Sequence, residues 1–157
     1  MIDYAKALKR GLDAAHRAAA ARKEIDQIFK DLDDQVKRAT ENKVSIRCRG
    51  RAPGDANVAC VGNLYLREGP HHDLVDYLQR SLSIAIYNPT VSGKKEALLA
   101  LCDIDNAGYP CQLTWSDKVN ICEDGEALRS CLADLLSDPL VGQKIHNLMT
   151  LQPQKAA

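Results

Sequence analysis

Aromatic side chains are scarce in this chain, with one phenylalanine, Phe29, one tryptophan, Trp115, and five tyrosines. Stacking platforms for nucleic-acid bases are correspondingly few, and a core has to be built from aliphatic side chains. Net charge is missing too, because 21 basic residues cancel 21 acidic ones. No global field draws the chain toward nucleic acid or an anionic membrane. Long apolar runs are absent; Ala97 to Cys102 is among the longest, far short of the ~20 residues that span a bilayer. The opening Met1-Ile2-Asp3-Tyr4-Ala5-Lys6 carries charge where a signal peptide needs an apolar segment. These absences predict a cytoplasmic protein without membrane association.

The usual signatures of catalysis and metal binding are missing as well. The cysteines at 48, 60, 102, 111, 122 and 131 contain no Cys-x-x-Cys, and none lies three or four residues from a histidine, so zinc spacings are absent. Core-type neighbours such as Ile46, Val61, Leu101 and Leu132 mark them as small hydrophobes of a reducing compartment. Val91-Ser92-Gly93-Lys94-Lys95 has a Gly-Lys pair but not the flanking Gly and Ser/Thr of a phosphate loop. No Gly-x-Ser-x-Gly elbow or His-Glu-x-x-His helix occurs. No cofactor, metal ligand set or complete catalytic constellation is expected.

What the sequence does contain is the balance of a globular protein, 45% hydrophobic and 27% charged, at a length suited to a single domain covering 1–157. Residues 3–42 hold no proline and one glycine, Gly11, among Ala, Lys, Arg, Glu and Leu, which predicts one long helix. Asp3 is placed to cap its start and Asn42 to adopt a left-handed conformation after its end. A seven-residue repeat aligns Tyr4, Gly11, Ala18, Ile25, Leu32 and Ala39 at one seam position and Leu8, Ala15, Arg22, Phe29 and Val36 at the other. Acid-first pairs four apart, such as Asp33/Lys37 and Asp34/Arg38, lie off that seam.

From Lys43 the period changes to two. Residues 43–122 are expected to form an antiparallel sheet of about five strands. Ile46 and Cys48 alternate with Arg47 and Arg49; a second strand is placed within 57–67 and a short helix near 71–80. Alternation returns at Leu82, Ile84 and Ile86 and again at Cys111, Leu113 and Trp115. Residues 124–151 read as two helices, capped at Asp124 and at Asp138-Pro139, and 152–157 as a tail. The predicted class is α+β, with the long N-terminal helix, the sheet, and two C-terminal helices packed on one face. This order is similar to that of profilin-like domains and type III secretion chaperones, a similarity of element order with no motif attached.

Three functional readings follow. A helix of ~40 residues is ~60 Å long, more than a domain of this size covers, so the seam residues Ile25, Phe29, Leu32 and Val36 are expected to bind a second copy or another protein. That reading makes the chain a non-enzymatic protein-binding or regulatory module of the adaptor, chaperone, immunity or inhibitor type, dimeric through its first helix. The comb Arg47, Arg49 and Arg51 could instead grip the phosphates of a nucleotide or nucleic acid. Finally, Asp103-Ile104-Asp105 resembles the Asp-x-Asp opening of haloacid-dehalogenase-type phosphatases, which makes Asp103 and Asp105 the weak catalytic candidates of a small metal-dependent hydrolase. A hairpin turn explains the same residues.

Overall fold

The computed structural model describes residues 1–50, 81–92 and 96–152. The strand expected within 57–67, the helix near 71–80, Arg51 and the end of the tail lie outside them. The fold is α+β: a long helix, α1 (Tyr4–Ala39), precedes strands β1 (Ser45–Gly50), β2 (Ser81–Tyr87), β3 (Glu96–Asp105), β4 (Gly108–Trp115) and β5 (Lys118–Cys122), followed by α2 (Gly125–Ser137) and α3 (Pro139–Met149). The strands lie in sequence order, β1-β2-β3-β4-β5, every pair antiparallel. The helices pack against the sheet, α1 across β1 and β4 and α2 over β4 and β5.

Local chemistry explains the boundaries. Asp3 accepts a hydrogen bond from the Lys6 amide at 3.0 Å, satisfying one of the helix's orphan N–H groups. At the other end Glu41 and Asn42 turn left-handed, with φ of 53° and 62°, and the Asn42 amide bonds the Lys37 carbonyl at 2.8 Å. Buried Thr40 then ties the turn together, donating to the Val36 carbonyl at 2.8 Å and accepting from the Val44 amide at 3.1 Å. Ser116 and Asp117, both at positive φ, form the two-residue connection of the β4–β5 hairpin, whose twist such turns match. Asp124 and Asp138 cap α2 and α3.

The core lies between the sheet's inner face and the helices. Cys111, Leu113 and Trp115 of β4 face inward while Gln112 is exposed, and Ile84 and Ile86 of β2 are fully buried. From above they meet Ile25, Ile28, Phe29 and Val36 of α1, Leu128, Leu132 and Leu135 of α2, and Leu148 of α3.

Two anchors fix where α1 crosses the sheet. The Asp33 carboxylate accepts from the Ile46 amide and the Ser45 hydroxyl, each at 2.8 Å, and pairs with Lys37 at 2.7 Å. Burial opposes its ionisation, but the Lys37 ammonium and these two donors outweigh burial and hold the carboxyl below its ordinary value. A depressed carboxyl contributes stability above its unfolded pKa and loses it as pH falls through the folded one. Asp33→Asn should therefore cost about 1–2 kcal/mol near neutrality. In thermal melts against pH, the gap between wild type and variant should be constant above about pH 5 and close below about pH 4, where the wild-type carboxyl protonates.

The second anchor is the β3–β4 turn. Gly108 has φ of 92°, and a Cβ there would run into the Cβ of Ala21, so hairpin and helix touch at a point only glycine allows. Beside it the Arg22 guanidinium donates to the Asn106 carbonyl at 3.1 Å. One helical turn further on, the Glu24 carboxylate lies against Gly125, at the N-terminus of α2.

Candidate interaction surface

The predicted partner-binding residues are core residues of their own chain, which corrects that assignment. Ile25 is 0% exposed, Phe29 7% and Val36 8%, and Leu32 is half-buried against the same cluster. The physical reason is density: with Ile28 these are five large or branched apolar side chains within twelve residues, and the sheet covers them together. Ile28, absent from the seven-residue seam, is buried with them at 3%. A helix lying on a sheet presents a stripe wider than a two-position seam.

The arginine comb is engaged within the protein as far as it is described. Arg47 pairs with Glu96 at 2.9 Å, and its guanidinium lies 4.2 Å from the centroid of the Tyr87 ring. The Arg49 side chain and Arg51 lie outside the described residues. Asp103 and Asp105 stand at the end of β3 beside a shallow recess of about 270 Å³ that also includes Gln112 and Ile121. Asp105 accepts from the Ala107 amide at 3.2 Å, the side-chain-to-backbone bond of a turn-forming aspartate. Among the described residues no three His, Cys, Asp or Glu are placed to hold a metal ion, and no helix is long and apolar enough to cross a membrane.

Five of the cysteines carry free thiols, four of them in the sheet. Cys111 and Cys122 are direct cross-strand partners. Burial pushes the Cys48 and Cys122 thiols up to about 12, which leaves them without appreciable thiolate near neutrality.

The unaccounted surface lies at the other end of α1. From Met1 to Arg17 every residue is exposed, while Ala18 is the first to be partly covered, next to the β3–β4 turn. Fourteen helical residues, about 21 Å of helix, thus project from the body as one unbroken continuation of α1. Tyr4 is 76% exposed, Leu8 65% and Leu12 54%. At 100° per residue all the charged side chains between Lys6 and Arg17 fall within about a third of the circumference. Tyr4, Leu8, Gly11, Leu12, Ala15 and Ala18 occupy the opposite side.

The projecting segment is also electrically distinct. From Met1 to Arg17 there are four cations and two acids, a surplus of two positive charges, so the remainder of the neutral chain carries two negative ones. Where the rod joins the body, exposed Glu24 lies against Gly125 at the start of α2, and the exposed cations Arg22 and Lys23 stand on the same stretch of helix.

No protein-family model matches the chain, and comparison with curated proteins and with solved structures finds no significant match.

Proposed function

We propose that the protein is a non-enzymatic protein-binding module that self-associates through the projecting half of α1, in the manner of an adaptor or regulatory subunit. The observation that carries this reading is the fully exposed amphipathic helix Tyr4–Arg17, with Tyr4, Leu8 and Leu12 on one side. Isolated helices of ~12–15 residues are marginal in water. Covering a large apolar side chain contributes about 1.5–3 kcal/mol.

Amide hydrogen exchange tests the reading. In a free protomer, amides from about Lys6 to Arg17 open by fraying and exchange fast. Protection of these amides should rise on going from about 1 to about 100 µM protein, while the amides of β2 and β3 stay unchanged. Equal, rapid exchange of the segment at both concentrations would remove the basis for self-association.

A further inference from the structure

Cys102, Cys111, Cys122 and Cys131, all free thiols, form one contiguous run through the core. The Cys102 thiol of β3 donates to the sulfur of Cys111 on β4, and Cys111 in turn donates to the Gly108 carbonyl at 3.3 Å. Cys111 stands directly across the ladder from Cys122 of β5. The Cys122 thiol is hydrogen-bonded to Cys131 on α2, the helix that lies over β5. Exposure changes along this run. Cys102, Cys111 and Cys122 are each 0% exposed, whereas Cys131, at the outer end, is half-buried. Among the described residues a small solute meets the run at Cys131 alone.

Position gives the last two thiols different roles. Susceptibility to oxidation follows access to solvent, and Cys131 has it. Burial and the hydrogen bond to Cys131 keep Cys122 protonated, so it does not compete for an oxidant. Its S–H already points at the Cys131 sulfur, which makes it the group placed to react with whatever Cys131 becomes. Sulfurs in hydrogen-bond contact need only a small rotation to reach bonding distance. Cys48, the other half-buried thiol, is held protonated by burial and by the facing carboxylates of Asp33 and Asp26. The two reacting elements are also ones a covalent link would fix, because β5 is the last strand of the sheet and has β4 on one side only.

We infer that Cys131 and Cys122 are a peroxide-sensitive pair, in which a hydroperoxide oxidises Cys131 and Cys122 closes on it to form a disulfide that staples α2 to β5. In the first step the Cys131 sulfur attacks one peroxide oxygen and the O–O bond breaks. Cys131 becomes a sulfenic acid, and the departing hydroxide takes up the thiol proton as water. In the second step the Cys122 sulfur attacks the Cys131 sulfur, the S–O bond breaks, and the Cys122 proton leaves with the hydroxyl as a second water. Peptide mapping of the intact protein tests the pair. Wild type is treated with hydrogen peroxide, alkylated in denaturant and digested with trypsin without reduction. Cys122 lies in Val119–Arg129 and Cys131 in Ser130–Lys144. The expected product is these two peptides joined, lighter than their sum by two hydrogens and separated again by dithiothreitol, with both thiols lost in equal amount. In Cys122→Ser the same treatment should leave Cys131 as a sulfenic acid that dimedone captures; the wild-type map decides by itself if that variant does not fold. A disulfide within Glu96–Lys118, which carries Cys102 and Cys111, or one joining two copies of Ser130–Lys144, would overturn the inference. Wild-type protein with Cys131 oxidised and Cys122 still fully alkylated would overturn it too, as would thiols that all survive the peroxide.

Discussion

Ile25→Asp unfolds the protein or brings it close to unfolding. Ile25 is 0% exposed at the centre of the contact between α1 and the sheet. The substitution removes a buried aliphatic side chain, worth about 1.5–3 kcal/mol, and puts in its place a carboxyl at a position fully shielded from water. An unpaired buried charge adds several kcal/mol of its own or is neutralised at the expense of stability. The total, about 5 kcal/mol or more, is comparable to the whole stability of an ordinary domain. A thermal midpoint lower by roughly 10–20 °C, or no cooperative transition at all, is expected by circular dichroism. A folded variant with an unchanged melting curve would show that the helix does not lie where the structure puts it.

Gly108→Ala is the second large effect, and it operates through the backbone. At φ of 92° the residue is in territory that side chains avoid, which costs about 1–3 kcal/mol for a non-glycine residue. The new Cβ also meets the Cβ of Ala21, an atom fixed to the helix backbone that cannot swing aside. The hairpin and α1 have to part, and a loss of about 3–4 kcal/mol in denaturant melts is expected. The double variant Ala21→Gly/Gly108→Ala should recover the steric share and not the conformational one, an interaction energy measurable in a double-mutant cycle. Additive losses would mean that the two residues do not touch.

Much of this architecture is legible in the sequence because it is locally encoded. Asp3, Asn42, Asp124 and Asp138-Pro139 mark helix ends through side-chain and backbone chemistry confined to a few residues. The alternation of Cys111, Leu113 and Trp115 names the inner face of β4 without reference to any other element. The long-range relations are another matter. That Gly108 abuts Ala21, that Arg47 pairs with Glu96 and that Asp33 reaches the start of β1 depend on contacts between distant segments. The pair Asp33/Lys37 looked like an ordinary solvated i,i+4 pair for the same reason.

The helix seam shows the limit most clearly. Its length correctly indicates that one continuous helix outruns its body, but not which end stays free. Ile25, Phe29 and Val36 form the densest apolar stretch of the helix, which suits a partner or the chain's own sheet equally. Only the fold decides between these occupants, and it gives them to the sheet. The exposed residues are the sparser ones, Tyr4, Leu8 and Leu12, spaced among alanines and one glycine. Their pattern becomes informative only once the body is known to stop at Ala18.

Sedimentation equilibrium of the wild type beside a Leu8→Asp/Leu12→Asp variant tests the central claim most directly. Both leucines are more than half exposed, so the variant should melt with the wild type when both are dilute, while the charges forbid helix pairing. The account predicts a concentration-dependent monomer–dimer equilibrium for the wild type and a monomer throughout for the variant. Indistinguishable masses for the two proteins at every concentration would contradict it.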